Sequence, residues 1–555
     1  MSDKTEPNRR LVLGAGTAIL AAASTNLAQA ETSKPAVVSP LIATGSSALF
    51  PVAETTNGKV RGLDVGGIKQ FKGIPYGAST EGRNRFMPPK KPAPWAGIRD
   101  CYDYGQTSPQ VPQDSRIDYI RLIDFDLQPG GMGEDCLHLN VHTPAVNDGR
   151  KRPVMVSFHG GGFYQGSNNH NAYYGDPLAR FGDVVVVTPN HRLGSLGYLH
   201  LADLGVPAEF KFAGVAGIMD LVAVLQWVRD NAESFGGDPN TVMIWGQSGG
   251  GFKTSTILGT PTAKGLFHRA AIQSGSTLKV RARDAATIHA DMMLKKLRIS
   301  LKNIGTLQKI SWEQIIDAQA AVSLADPNTA NFFPVLDGTI IPQHPFDPAA
   351  PSVSADVPII ISSALEDAAL FLTNFNLDEA GLKGIAEKLF PTRGESIVAL
   401  YRQHYPDKSP YLVQAMILTD SQWRRAVVRQ AERKHALGAA PAYVYCWEWP
   451  TPAFNGKFGA VHAVDVPTAF HSSRGTMHGE RPDAQKMADR HAAAWVVFAR
   501  TGNPNAAGNP QWDPYTPETR ATMVFADDTR VESDHRGDFR KLWDDINPPL
   551  NQGQG

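Results

Sequence analysis

A glycine-rich turn around Ser248 is the feature that most constrains the fold of this chain. The motif GQSGG at 246–250 follows the apolar run Val242–Trp245 and precedes an amphipathic stretch that reaches Leu258. Small residues around a serine let the backbone make a tight, strained turn between a strand and a helix without side-chain clashes. The pattern therefore predicts a nucleophilic serine whose hydroxyl projects above a sheet.

Further apolar runs bounded by turn residues predict buried strands. They lie at Val154–Phe158, Val184–Val187, Val242–Trp245, Val357–Ile361 and Tyr443–Trp449. Apolar residues at helical spacing predict helices over 218–228 and 487–499. Strands that alternate with helices indicate an α/β fold with a large, mostly parallel central sheet flanked by helices.

The N-terminal segment predicts export from a bacterial cell. Arg9 and Arg10 precede the apolar run Leu11–Ala23, and the sequence AQA at 28–30 offers a cleavage site. The run is shorter than the about 20 residues that span a bilayer, so residues 1–30 predict a signal peptide rather than a membrane anchor. The paired arginines favour the twin-arginine type over the general secretory type, with a periplasmic or secreted location. Residues 31–50 predict a flexible leader.

The charge balance is neutral, with 54 basic Lys and Arg residues against 54 acidic Asp and Glu residues. Phosphate binding needs a basic surface, so neutrality argues against a general nucleic-acid binder. The three cysteines, Cys101, Cys136 and Cys446, allow one disulfide in an oxidising compartment. The alternative is three buried free thiols.

A second glycine run, HGGGF at 159–163, directly follows the predicted strand that ends at Phe158. Consecutive glycines expose backbone N–H groups that can converge on one oxygen atom, as in the oxyanion holes of esterases and lipases. Loss of one such donor in comparable sites costs about 3–4 kcal/mol of transition-state stabilisation. The run therefore predicts an oxyanion hole.

A serine nucleophile needs a base, and the base needs an orienting acid. In α/β-hydrolases the chain order is serine, then Asp or Glu, then histidine. His462 lies well after Ser248 in a glycine-containing loop, and the acidic pair Glu366 and Asp367 follows the strand Val357–Ile361. These residues are the candidates for the base and the acid.

Ordered motifs over most of the chain carry a resemblance to a known family. The motifs are FKGIPY at 71–76, EDCLHLN at 134–140, NHRLG at 190–194, FGGDP at 235–239, GLF at 265–267, QSG at 273–275, PVLDG at 334–338 and TGNPN at 501–505. The chain resembles the type-B carboxylesterases, the family of α/β-hydrolases that includes the cholinesterases, from about Gly58 to Phe525. The family fold adds helical insertions to the predicted sheet.

The resemblance implies a carboxylic ester hydrolase that uses no metal and no organic cofactor. The elbow serine corresponds to Ser248 and the base to His462. The oxyanion donors correspond to the N–H groups of Gly161, Gly162 and Gly249. The expected substrate is a small-molecule ester, cleaved through an acyl-enzyme intermediate.

The resemblance also implies two pairs outside the catalytic groups. The family disulfide corresponds to Cys101 with Cys136, which leaves Cys446 unpaired. The family ion pair beneath the site corresponds to Glu134 with Arg192.

Two departures from the family pattern bear on the catalytic groups. The family usually has GESAG at the elbow, whereas Gln247 and Gly249 stand here in place of Glu and Ala. The family acid is a Glu with an aromatic residue four positions later. Phe371 lies four positions after Asp367, so this register predicts Asp367 as the acid and leaves Glu366 as the reserve candidate.

Three rival functions fit the sequence less well. Gly246–Thr254 nearly matches a phosphate-binding loop, but Phe252 stands where the lysine belongs and displaces Lys253 by one residue. Lys253 is then a charged residue of the elbow helix or, alternatively, a contact for an anionic substrate.

A metal-dependent hydrolase is the second rival. The irregular spacing of His462, His471 and His478 gives no metal-ligand set.

A catalytically silent, cholinesterase-like adhesion module is the main alternative to an enzyme. Such modules typically lack triad residues, whereas all three roles are filled here. The candidate residues Ser248, Asp367 and His462 come from distant segments that must converge. The sequence therefore predicts one catalytic domain over 51–545, followed by a tail at 546–555.

Overall fold

The computed structural model describes residues 48–112, 118–123, 129–325, 332–473, 477–479 and 481–550. These residues belong to a single compact unit. The predicted signal peptide and most of the predicted leader lie outside the described residues, so both stay predictions.

The described residues form fourteen β-strands. They are β1 (Val52–Thr55), β2 (Gly58–Arg61), β3 (Leu63–Val65), β4 (Ile68–Pro75), β5 (Ile98–Asp100), β6 (His138–Thr143), β7 (Arg152–Phe158), β8 (Val185–Pro189), β9 (Gly237–Gln247), β10 (Arg269–Gln273), β11 (Ile359–Ala364), β12 (Ala442–Trp447), β13 (Thr522–Phe525) and β14 (Arg530–Glu532).

The same residues form fourteen α-helices. They are α1 (Asp118–Ile123), α2 (Asp176–Gly182), α3 (Gly194–Tyr198), α4 (Ala216–Asn231), α5 (Gly249–Leu258), α6 (Arg283–Leu297), α7 (Trp312–Ala325), α8 (Glu379–Leu389), α9 (Gly394–His404), α10 (Pro410–Thr419), α11 (Arg425–Ala436), α12 (Val466–Ala469), α13 (Ala484–Thr501) and α14 (Gly537–Ile546). Among the described residues, none of these helices combines the length and apolar character that a membrane crossing requires.

A sheet of eleven strands organises the unit, in the order β14-β13-β12-β11-β10-β9-β7-β8-β6-β4-β3. The central strands from β13 to β8 pair in parallel, while β14, β6, β4 and β3 pair antiparallel at the two sides. A second, three-stranded sheet contains β1, β2 and β5. The predicted mostly parallel α/β fold is confirmed.

Both faces of the large sheet are buried, because alternate side chains of its central strands enter two separate apolar cores. On β9, Val242 and Ile244 pack in one core with α4, whereas Met243 and Trp245 pack in the other with α13. Helices on both faces explain why the central strands are continuous apolar runs rather than alternating ones.

Strand ends differ from the sequence predictions for local reasons. β11 begins at Ile359, after the predicted start at Val357, because Pro358 has no backbone N–H for the sheet. β12 ends at Trp447 because the next two N–H groups, of Glu448 and Trp449, both donate to Phe525 O, at 2.8 and 3.0 Å. Because Phe525 O accepts from two consecutive N–H groups, the regular pairing of β12 with β13 ends there.

All three cysteines are free thiols, so the disulfide expected between Cys101 and Cys136 is not formed in the structure. Burial raises the pKa of the Cys101 thiol to about 12 and raises that of Cys136 above its usual value. Because the thiolate is the species that forms disulfides, burial keeps both groups as small core residues. The alternative of three buried thiols agrees with this arrangement.

The expected ion pair between Glu134 and Arg192 is also wrong, because each residue has another partner. Arg85 Nε donates to Glu134 Oε1 at 2.6 Å, and a second Arg85 nitrogen binds the other carboxylate oxygen. Arg192 makes a two-point contact with Asp220, at 2.8 and 2.6 Å. Arg85 binds both carboxylate oxygens of Glu134, so this carboxylate is not the ion-pair partner of Arg192.

Candidate active site

Ser248 lies in the predicted sharp turn between β9 and α5. Its backbone has φ 57° and ψ −122°, a conformation that non-glycine residues seldom adopt. The N–H of Ser248 donates to Gln273 O at 2.8 Å, and its carbonyl accepts from Phe252 N at 2.8 Å. These two bonds hold a strained residue whose side chain is partly exposed.

Glycines flank the serine because other strands pass too close for a side chain. A Cβ atom at Gly246 would lie 2.5 Å from Phe158 O, at the end of β7. A Cβ atom at Gly275 would lie 2.5 Å from both Ser248 O and the Cα atom of Gly251. The glycine pattern thus brings the ends of β7, β9 and β10 together around the serine.

Asp367 occupies the position that the sequence register predicts for the acid. It is completely buried, and its Oδ1 accepts a hydrogen bond from His462 Nδ1 at 2.7 Å. Its Oδ2 accepts from Ser274 Oγ at 3.0 Å and from the N–H of Ala364 at 2.8 Å. Three donors therefore fix the carboxylate and orient the imidazole, and among the described residues His462 Nε2 has no hydrogen-bond partner.

Glu366, the reserve candidate, binds the histidine loop instead of the imidazole. Its Oε2 accepts from the N–H of Ala460 at 2.8 Å, and its own N–H donates to Ala460 O at 3.1 Å. Its Oε1 forms an ion pair with Lys408. Glu366 thus ties the acid loop to the loop that carries His462.

The backbone around His462 is also held in place. Tyr119 donates its hydroxyl to His462 O at 3.0 Å, and Ala463 adopts φ 67°. The ring of Trp423 stands edge-on to the imidazole with 6.5 Å between the centroids. No hydrogen bond joins Ser248 Oγ to His462 in the described part of the chain, and such contacts often form only when substrate is bound.

The direction of each predicted oxyanion donor is set by the carbonyl before it, because C=O and N–H point oppositely across a trans peptide. His159 Nδ1 donates to Gly160 O at 2.8 Å, which directs the N–H of Gly161 the other way. Gln165 N donates to Gly161 O at 3.0 Å and so directs the N–H of Gly162.

The third predicted donor, the N–H of Gly249, is directed in the same way by the bond from Phe252 N to Ser248 O. Gly161 and Gly162 have φ 84° and 63°, which favour glycine. Within the described residues, none of the three N–H groups donates a hydrogen bond. An oxyanion hole requires free N–H donors near the nucleophile.

Two of the three histidines whose spacing was considered for metal binding have other partners. His471 binds Asp489 at 2.7 Å, and His478 Nε2 contacts Val464 O at 3.0 Å. Among the described residues, one group of potential ligands lies within 4.8 Å: Cys446, Glu448 and His535. Both ring nitrogens of His535 are already occupied, by the carboxylates of Glu532 and Glu448.

A cavity of about 1010 Å³ lies beside the histidine loop. Ala463, which follows His462 in the chain, lines it together with Tyr173 and Phe470. Lys72 and Arg180 also line the cavity. The cavity is large enough for a drug-sized organic group.

Sequence reasoning missed several residues that shape this site. Ser274 lies within a motif that carries the family resemblance, and that motif was the available signal. Tyr119, Tyr173 and Trp423 had no signal, because their contacts with the site come from remote segments.

The sheet, the elbow serine and the acid–histidine pair define an enzyme class, the α/β-hydrolases. A sequence model described as the carboxylesterase family matches residues 50–543. The chain belongs to the carboxylesterase family, and it is a carboxylic ester hydrolase of the serine type.

Named relatives extend over nearly the whole chain. The para-nitrobenzyl esterase of Bacillus subtilis is 30% identical over 88% of this chain and 98% of its own length. The phenmedipham hydrolase of Pseudarthrobacter oxydans is 30% identical over 86% of this chain and 95% of its own. A crystal structure of a carboxylesterase from Geobacillus stearothermophilus is 33% identical, with a TM-score of 0.76 over 89% of this chain and 99% of that one.

Proposed function

We propose that the chain hydrolyses carboxylic esters through an acyl-enzyme intermediate, with Ser248 as nucleophile, His462 as base and Asp367 as orienting acid. The 2.7 Å bond between His462 Nδ1 and Asp367 Oδ1 carries this proposal. Asp367 is buried and holds three donors, so it stabilises the imidazolium that forms when His462 takes a proton.

The reaction proceeds in two acyl-transfer steps. His462 Nε2 removes the proton of Ser248 Oγ as this oxygen attacks the ester carbonyl. The N–H groups of Gly161, Gly162 and Gly249 stabilise the resulting oxyanion. The bond to the alcohol oxygen breaks, and His462 returns the proton to the leaving alcohol. Water repeats the sequence on the acyl-enzyme and releases the acid and the free serine.

We propose the cavity beside Ala463 for the alcohol half of the ester, because Ala463 directly follows the base His462 in the chain. Its aromatic residues Tyr173 and Phe470 suit an uncharged organic group. The expected substrates are small-molecule esters. Phe371 is 64% exposed beside Trp423 and suits the entrance, whereas Phe163 is fully buried.

Labelling with a fluorophosphonate tests the proposal without knowledge of the natural substrate. The probe bonds covalently to an activated serine, and peptide mass mapping locates the adduct. We expect one adduct at Ser248, and none in Ser248→Ala or His462→Ala. A folded wild-type protein that takes up no probe would favour the adhesion-module alternative instead.

The same proposal places the enzyme in the periplasm or outside a bacterial cell. The support is the sequence of residues 1–30, with paired arginines before a short apolar run. Mass measurement of the exported protein should show cleavage after Ala30. Export that survives replacement of Arg9 and Arg10 by lysine would point to the general secretory route.

A further inference from the structure

Lys253 is fully buried beneath the glycine run, although the sequence suggested a charged helix residue or a contact for an anionic substrate. It lies on α5, five residues after Ser248. Its Nζ donates to His159 O at 2.8 Å and lies 5.8 Å from the centre of the Phe163 ring. Complete burial removes it from any substrate, so its partners are the two ends of the loop 159–163.

In the part of the chain that the structure describes, no carboxylate forms an ion pair with this lysine. Burial lowers the pKa of the Lys253 ammonium well below its usual value, and no acidic group raises it. Its ionisable neighbours are His159 and His191, whose pKa values are lowered by burial and further by Lys253. An amine without an ionic partner is costly to bury, so its hydrogen bond is its main contribution here.

The bond from Lys253 fixes one edge of the peptide that joins His159 to Gly160. The carbonyl of this peptide accepts from Lys253, and its N–H donates to Tyr173 Oη at 2.8 Å. The next carbonyl, of Gly160, accepts from the ring of His159. Each peptide is planar and is joined to the next only by the rotations at one Cα atom, so fixing the first peptide restricts where the following N–H groups can lie.

We infer that Lys253 is a positioning residue for the oxyanion hole: it fixes the peptide from His159 to Gly160 and thereby aims the N–H groups of Gly161 and Gly162. This inference rests on the proposed function, because it assigns the two N–H groups to the oxyanion. Lys253 itself touches neither the substrate nor the reacting atoms.

Lys434 offers a matched control for the loss of a buried lysine. It lies on α11, is 3% exposed, and its Nζ donates to Ser354 O at 3.0 Å and to Ala355 O at 2.8 Å. These carbonyls belong to a surface turn before β11 and not to the glycine run. Lys253→Met and Lys434→Met therefore remove the same chemistry at two places.

The experiment compares both variants in ester turnover and in binding of an aryl trifluoromethyl ketone. Attack of Ser248 on this ketone forms an oxyanion, so its inhibition constant reports on the oxyanion hole, whereas KM reports largely on ground-state binding. Loss of a whole oxyanion donor lowers kcat by about 10²–10³-fold. Lys253→Met should lower kcat by about 10–100-fold with KM little changed. It should raise the inhibition constant of the ketone by a similar factor. Lys434→Met should leave all three values unchanged.

Equal kcat and ketone affinity in Lys253→Met and the wild type would overturn the inference. If Lys253→Met does not fold, Lys253→Gln replaces it, because glutamine keeps a hydrogen-bond donor. Tyr173→Phe removes the acceptor of the Gly160 N–H, so it should lose more ketone affinity than Lys253→Gln.

If Lys253→Gln and Tyr173→Phe both bind the ketone as tightly as the wild type does, these two side chains do not control the peptide and the inference fails. Absence of a fluorophosphonate adduct on wild-type Ser248 would instead refute the proposed function.

Discussion

Asp367 accepts the hydrogen bond of His462 Nδ1, while its neighbour Glu366 binds the backbone of the loop that carries the histidine. Two adjacent buried carboxylates therefore have different tasks. Asp367 orients the imidazole, and Glu366 holds the loop that carries His462 against the loop that carries the two acids. This division leads to opposite expectations for their substitution.

Asp367→Asn should lower kcat by about 10³–10⁴-fold. An uncharged amide can select the wrong tautomer of the imidazole, and it does not stabilise the positive charge that His462 gains. Steady-state kinetics on a chromogenic ester checks this value. A loss of less than tenfold would remove Asp367 from the catalytic role.

Glu366→Gln should leave kcat within about tenfold of the wild type, since Asp367 keeps its three donors. It should lower the free energy of unfolding by about 1–3 kcal/mol, because the charge-assisted bonds to Lys408 and Ala460 are weakened. Urea unfolding followed by fluorescence measures this change. A kinetic defect as large as that of Asp367→Asn would contradict the division of tasks.

Gly249→Ala, which installs the usual family residue, should lower kcat by about 10²-fold, comparable to loss of one oxyanion donor. A Cβ atom at position 249 would overlap the backbone of Gly162, so the glycine run would have to move. Gly384→Ala is the control: Gly384 lies on α8 with open space around it, and alanine there should stabilise the protein by about 0.5–1 kcal/mol. Kinetics and unfolding of both variants give the comparison.

The buried His142 should make the protein less stable in mild acid. Burial, helped by the nearby charge of Lys72, lowers its pKa to about 3. The pKa of an unfolded histidine is about 6.5. Between these values the unfolded chain binds more protons, so stability falls as the pH decreases, by about 1.4 kcal/mol per unit well below 6.5.

His142→Leu should therefore reduce the stability difference between pH 7 and pH 5 by about 2 kcal/mol. Urea unfolding at both pH values measures it. His435 is exposed in the folded protein, and His435→Leu should leave the difference unchanged. An unaltered difference in His142→Leu would show that His142 binds a proton as readily in the folded protein as in the unfolded chain.

Local chemistry in the sequence determined the sheet class, the elbow, the glycine run and the candidate acid. Val242–Trp245 and the glycines around Ser248 each reflect constraints within a few residues of chain, whereas the choice of Asp367 over Glu366 came from the family register that Phe371 marks. Apolar runs predict buried strands and glycines predict tight turns, because backbone sterics and burial act locally. These features needed no knowledge of distant partners.

Only the tertiary structure decided which charged groups meet. It paired Glu134 with Arg85 rather than Arg192, and it buried Lys253 beneath the glycine run. It also gave Glu366 the task of holding the histidine loop. The partners of a buried charge come from segments tens to hundreds of residues away, and hydrogen-bond geometry chooses among them after the chain has folded.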